Sequence, residues 1–235
     1  MFIKKIIFNA ICVIFIGVFA GNAFAEETWK IASLDWQPYS GSDMSTQGNS
    51  IQKLRELLKK EGITLLVDFF PWLRSKHNAK KEQYIGYFPA WPEEVDEGFI
   101  ASKPVDWSEI SLLKQGGTDI AFSDIDTLFK TYKVGIVGSY VYPKEIEDAM
   151  KKYPHHADKA PDEISLLKKL SGGRHLVAIT DPNVMLYLAT KEGIFNVELM
   201  KGISLKKELV IALRNDEENK KRIELLERIL KDVKE

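Results

Sequence analysis

Cysteine is almost missing from this sequence of 235 residues: its one example, Cys12, lies in an apolar stretch near the start. With that stretch removed, no disulfide framework, thiol nucleophile or thiolate metal site is possible in the rest of the chain. Histidine is nearly as scarce, with four residues. His155 and His156 are adjacent but lack a third ligand at helical or strand spacing. They read as part of a mobile polar loop rather than a metal site. His77 and His175 stand alone in sequence. No Gly-x-Ser-x-Gly elbow, phosphate-binding loop or zinc-type histidine pair occurs. Charge of one sign is also lacking, with 33 Lys and Arg against 34 Asp and Glu. Without a clustered basic surface there is no footprint for nucleic acid.

Long hydrophobic runs are confined to one place. Met1 to Lys5 is a short basic start, Ile6 to Ala20 is almost wholly apolar, and Ala23-Phe24-Ala25 supplies small residues where a signal peptidase reads. Residues 1–25 therefore read as a secretory signal peptide cleaved before Glu26. An uncleaved anchor is the alternative, disfavoured because Asn9 and Asn22 interrupt the run. Bulky Ile11 before Cys12 argues against lipid attachment, so the expected location is a Gram-negative periplasm. Removing Lys4 and Lys5 leaves 31 basic residues against 34 acidic ones, a net charge of −3. The remaining 210 residues suffice for one large domain or two small ones. A hydrophobic content of 45% excludes a disordered chain.

What is present is an alternation of elements. Trp29 to Leu34 predicts a strand and Ser50 to Glu61 a helix, with Ile51, Leu54, Leu57 and Leu58 on one face and Gly62 at its left-handed cap. Ile63 to Phe70 predicts a strand closed by Pro71, Leu73 to Glu82 a short polar helix, and Tyr84 to Phe88 a third strand. After Pro104 the rhythm restarts: strands at Glu109 to Leu113, Val134 to Val137 and Leu176 to Thr180, and helices opened by Pro143, Asp162 and Asp181-Pro182. Glu208 to Leu213 predicts a last strand and Glu217 to Val233 an amphipathic helix. This is an α/β chain in which one scheme occurs twice, with no flexible Gly/Ser linker between. Two such lobes leave a cleft, and ligands of open parallel sheets sit beyond the carboxyl ends of the strands.

Five stretches in order carry a resemblance: "WKIASLDWQPYSG", "LLVDFFPW", "ASKPV", "YKVGIVGSYVYPKEI" and "LSGGRHLVAITDPNVMLYLATK". Together they resemble the family 3 periplasmic solute-binding proteins, the receptors of polar amino acid ABC transporters. The resemblance implies a two-lobe, type II periplasmic-binding-protein-like fold, each lobe a small mostly parallel sheet flanked by helices. The chain would cross between lobes near Lys103 to Lys114 and Ile203 to Leu213. Lobe 1 would then comprise residues 26–108 plus 209–235, and lobe 2 residues 109–208.

The strand ends fall at Trp36, Tyr39, Trp72, Ala90, Trp91, Ser139, Tyr140 and Asp181, which with Arg74 are the ligand-binding candidates, the resemblance adding weight at Trp72 and Asp181; the aromatics, Ser139 and Asp181 have core, turn or helix-capping roles as alternatives. One departure matters. Where the family has a carboxylate-gripping arginine after Thr-Pro-Glu, this chain reads Trp91-Pro92-Glu93-Glu94. The run Glu93 to Glu97 itself reads as a solvated turn. Either Arg74 supplies the missing charge, the preferred reading, or the solute lacks a carboxylate and is held by aromatics and acids. The function implied is a monomeric receptor that captures a small polar solute and delivers it to an inner-membrane ABC permease. No cofactor, metal or catalytic residue is expected. The rival readings are a periplasmic lyase or dehydratase using Glu94 or Asp181, and a stand-alone sensor domain.

Overall fold

The structure, a computed structural model, describes residues 27–234; the signal-peptide reading and Cys12 lie outside the described residues. The first half opens with β1 (Glu27–Ser33), α1 (Asn49–Lys59), β2 (Ile63–Phe69), α2 (Trp72–Asn78), β3 (Gly86–Ala90) and a short β4 (Phe99–Ala101). Helix α1 forms where Ile51, Leu54 and Leu58 recur at helical spacing, and all three are fully buried. Gly62, at φ 73°, ends the turn in the left-handed region, and β2 follows at once. Strands β1 and β2 pair in parallel from Glu27↔Ile63 to Ser33↔Phe69, and β3 lies on the other side of β1.

The second half contains β5 (Asp106–Gln115), α3 (Ile125–Thr131), β6 (Val134–Val137), α4 (Lys144–Lys152), β7 (Ala157–Ala160), α5 (Glu163–Ser171), β8 (Val177–Thr180) and α6 (Pro182–Glu192). Strands β6 and β8 are buried at every residue, as expected of short apolar strands covered on both faces. The caps read from sequence are made. Asp162 accepts from Ser165 N at 2.7 Å, and Asp181 accepts from Asn183 N and Val184 N at 2.7 and 3.0 Å.

Strand β9 (Val197–Arg214) then runs the length of both halves. Its C-terminal part pairs with β3 and β4, its N-terminal part with β5, so the strand order is β2-β1-β3-β9-β5-β8-β6-β7 with β4 also on β9. The chain returns to the first lobe in α7 (Lys220–Ile229), where Arg228 pairs with Glu61 at 2.8 Å and the Arg222 guanidinium lies 6.0 Å from the Trp29 ring. The two crossings implied by the resemblance fall on β5 and β9, which are antiparallel partners. No helix among the described residues is long and apolar enough to cross a membrane.

Several elements differ from the sequence reading. The last strand is eighteen residues long rather than six: the stretch 197–207 is largely exposed, has little apolar period and is held by its ladder to β5. Helix α3 has no counterpart in the sequence reading; Asp124 caps it through Thr127 N at 2.7 Å, and Ile125, Leu128 and Phe129 face inward. The polar stretch after His155-His156, read as a loop, is the edge strand β7 paired with β6 alone. Its buried face carries Asp158, which is compensated by Lys169 at 3.0 Å, Arg174 at 3.2 Å and His175 at 3.2 Å. The imidazole of His175 fits because β6 has a glycine beside it: a Cβ at Gly135 would stand 2.1 Å from His175 Nε2. Gly135→Ala should therefore destabilise the protein by about 1–3 kcal/mol through overpacking. Urea denaturation checks this, and the loss should shrink in a background already carrying His175→Ala.

Candidate functional site

Register fixes where the strand tips lie. Ala90 at the end of β3 pairs with Val210, next to the Asp106↔Leu209 pair where β5 and β9 meet. Thr180 at the end of β8 pairs with Ser111, while Val177 at its start pairs with Lys114, farther along β5. The parallel strands of the two lobes therefore run toward each other, and their carboxyl ends converge on the shared waist.

The loop after β1 folds into a turn, with Trp36 N donating to Ser40 O at 2.7 Å and Ser40 Oγ to Leu34 O at 2.8 Å. This stacks Trp36 on Tyr39, with ring centroids 4.7 Å apart. Trp91, at the tip of β3, meets the edge of Trp36 at 6.0 Å and of Tyr140 at 5.5 Å, and its indole donates to Ser108 Oγ at 2.9 Å. Tyr142 follows Tyr140 into the same cluster, 6.3 Å from Trp91. Aromatics of both lobes thus pack edge to face, an arrangement that such rings favour.

Three carboxyls are buried around this cluster. Glu94 is 6% exposed because Pro92–Glu94 forms a 3-10 turn that folds it back under Trp91. It accepts from Trp72 Nε1 at 3.0 Å and from Trp91 N at 3.2 Å. Burial pushes its pKa up to about 7. The solvated-turn reading thus does not hold for Glu94; the neighbours remain at the surface, where Glu93 pairs with Lys207 at 2.5 Å and Asp96 with Lys76 at 2.6 Å.

Asp181 is fully buried and bridges the lobes. Its Oδ2 accepts from the Tyr39 hydroxyl at 3.0 Å and from Glu109 N at 2.9 Å, while Oδ1 caps α6. Burial raises the Asp181 pKa to about 6, although each of these donors opposes the rise. Asn183 Nδ2 in turn donates to the Tyr39 hydroxyl at 3.0 Å. A second bridge links Lys191 to Asp43. Glu163, at the start of α5, accepts from Thr180 Oγ1 at 2.5 Å, and burial lifts its pKa to about 7. Its other oxygen, Oε2, has no hydrogen-bond partner of good geometry, and neither has Trp36 Nε1. The Tyr140 hydroxyl and the Trp36 indole are near enough to Glu163 to oppose the rise in its pKa.

Two cavities lie here. The inner one, among Leu34, Trp36, Trp72, Trp91, Glu94 and Tyr140, is ≈ 10 Å³, room for about one water molecule. The outer one is ≈ 450 Å³ and is bounded by both lobes: Asp35, Phe69, Phe70 and Trp72 on one side, Ser139, Tyr140, Asp162 and Glu163 on the other.

Of the residues singled out in the sequence, Trp36, Tyr39, Trp72, Trp91, Ser139, Tyr140 and Asp181 come together at the waist. Ala90 is fully buried in β3 and lines neither cavity. Arg74 lies on the exposed side of α2, outside both linings, while Trp72, Ser75 and Lys76 of that helix are buried. Sequence reasoning missed Glu163, Phe70, Tyr142 and Asn183. Glu163 had one signal, its place directly after the capping Asp162. Among the described residues no group of three or more His, Cys, Asp or Glu is placed to hold a metal ion.

No protein-family model and no curated protein sequence matches the chain. Solved structures do. An ancestral arginine-binding protein bound to arginine aligns with a TM-score of 0.71 at 16% identity, over 87% of this chain and 91% of that one. A histidine kinase sensor domain with similarity to periplasmic binding proteins gives 0.72 at 14% identity, over 88% and 90%. EhuB in complex with hydroxyectoine gives 0.69 at 18% identity, over 87% and 82%. At these identities the likeness is one of fold: the chain has the two-lobe α/β architecture of the periplasmic binding proteins.

Proposed function

We propose that this chain is a periplasmic solute receptor, in which two lobes close over a small polar molecule and present it to an inner-membrane ABC permease. The observation that carries the reading is the outer cavity. It lies at the converging strand tips, draws its walls from both lobes, and at ≈ 450 Å³ falls in the range of small-molecule sites. The inner cavity is too small for a solute, so the aromatic cluster acts as the floor of the site.

The mechanism is a population shift. A solute that touches Phe70 and Trp72 on one side and Tyr140 and Glu163 on the other has both sets of contacts only when the lobes are together. It stabilises that state by its differential affinity. The Tyr39–Asp181 bond and the Lys191–Asp43 pair add to the same state without solute. Binding rather than turnover is favoured because Glu94 and Asp181 are occupied by protein donors. A sensor role is the second reading, favoured by the similarity to a kinase sensor domain; both share closure and differ in the membrane partner.

Native mass spectrometry of the protein purified from cells should show a retained small molecule. That molecule, added back, should reduce the radius of gyration in solution scattering and change tryptophan fluorescence. Identical scattering curves with a proven ligand reject closure.

Tyr39→Phe removes a hydroxyl that donates to buried Asp181 and accepts from Asn183, both on the other lobe. The free protein should populate an open form, and apparent affinity should fall roughly tenfold, the equivalent of about 1.4 kcal/mol. Calorimetry measures it; unchanged affinity removes the latch from the mechanism.

Folding stability also has a pH dependence. Glu94, Glu163 and Asp181 have folded pKa values of about 7, 7 and 6, above their ordinary 4.5, 4.5 and 3.8. A carboxyl shifted upward binds protons more tightly in the folded form. The stability it contributes is full below its ordinary pKa and is lost as pH rises through 6 to 7. The solute-free Tm should therefore fall as pH is raised across that window, and Glu94→Gln should flatten the fall. A slope that the substitution leaves untouched rejects the assignment.

A further inference from the structure

We propose that the solute is a small organic cation lacking a carboxylate, an amine or quaternary ammonium compound, seated against Trp72 and Tyr140 with its charge toward Glu163, Asp35 and Asp162. The inference rests on the receptor reading and names the class of ligand for the same cavity.

The lining is one-signed. Asp35, Asp162 and Glu163 border the outer cavity, and no lysine, arginine or histidine does. The adjoining hollow shares these three acids, and the lysine it contains, Lys191, is paired with Asp43. Arg74 and Lys159, the cations nearest in sequence to the lining residues, both lie outside it. A solute carboxylate placed here would face three acids and no cation to receive it. Coulomb repulsion at contact distance in a partly desolvated site would exclude it.

A second observation points the same way. Glu163 is only 6% exposed; Thr180 donates to one oxygen, while the Tyr140 hydroxyl and the Trp36 indole approach the carboxyl without a well-formed bond to Oε2. A buried carboxylate so weakly satisfied gains from a stronger donor or a positive charge. An ammonium supplies both. The walls suit the rest of such a molecule: Phe70, Tyr140 and the part of Trp72 that Lys76, 5.8 Å from its ring centroid, leaves uncovered offer aromatic surface, which attracts cations. Ser139 adds a neutral hydroxyl for a polar substituent.

The test uses the exported protein, unfolded and refolded to strip retained solute, titrated calorimetrically with tetramethylammonium, putrescine, arginine and glutamate. At least one of the two carboxylate-free cations should bind and should exceed both amino acids. Glu163→Gln should weaken that binding by roughly tenfold, since it removes the charge while keeping the shape. Asp35→Asn, at an exposed position, should weaken it in the same direction and guards against a folding defect in the first variant. Tighter binding of arginine or glutamate, binding of neither carboxylate-free cation, or undiminished binding in both variants overturns the assignment. Solution scattering on the same samples separates the two readings. Contraction with an amino acid keeps the receptor and rejects the cation, whereas cation binding without contraction keeps the ligand class and rejects closure.

Discussion

The antiparallel pairing of β5 with β9 is the constraint on which the site depends. Strand β9 is long enough to pair with both halves, and its ladder with β5 from Asp106↔Leu209 to Gln115↔Val197, interrupted by one shift between Ser111 and Leu113, joins them. Since β3 runs antiparallel to β9 on one side and β8 antiparallel to β5 on the other, the parallel strands of the two halves must run in opposite directions. Their carboxyl tips then face each other across the waist. The loops that follow β1, β2, β3, β6, β7 and β8 (34–39, 70–72, 91–94, 138–142, 161–163 and 181–183) are delivered to one place by topology rather than by local sequence. A βαβ lobe alone would present half of these groups to open solvent.

What fills the waist is unusual for a solvent-facing crevice. Trp36, Tyr39, Trp91 and Tyr142 are nearly inaccessible, and three carboxyls are buried beside them. Aromatic contact supplies attraction between the lobes that has no charge and little directionality. The carboxyls supply the directionality. Asp181 accepts a hydroxyl from one lobe and three backbone amides from its own, so it orients the two halves without a salt bridge. Glu94 holds two indole-bearing residues of the first lobe in place through Trp72 Nε1 and Trp91 N. Glu94, which the sequence resemblance sets where that family has an arginine, is an internal brace in this structure.

Most of the fold was legible because its strands and helices are written in apolar spacing and cap chemistry. Ile51, Leu54 and Leu58 mark α1; Asp162 and Asp181-Pro182 mark α5 and α6; and β6 is bounded in the structure as in the sequence, Val134–Val137. The failures share a cause. The outer half of β9 and the edge strand β7 are held by backbone ladders and ion pairs, so their side chains carry little apolar period. Asp158 in β7 looks like a loop residue until Lys169, Arg174 and His175 are seen around it. At the site, residue type was readable where a strand tip could be located, as with Trp72, Trp91 and Asp181. It was not readable for Glu94 and Glu163, because burial of a carboxyl depends on neighbours far away in sequence. Glu163 lies beside Thr180, and the Tyr39 hydroxyl is met by Asn183.

The braces and the open acid behave differently, and that difference separates structure from recognition. Glu94 and Asp181 have their oxygens satisfied by protein donors, so adding a ligand near them gains nothing that the fold has not already provided. Glu163 has one well-formed side-chain bond, from Thr180, with the Tyr140 hydroxyl and Trp36 indole less well placed, and it borders the outer cavity. A charge arriving there would meet a group already desolvated in this structure, with Trp36 of the first lobe beside it, so the proposed attraction would depend on the lobes being together. An interaction of that kind is what couples binding to shape, since a contact made equally well in open and closed forms would shift neither.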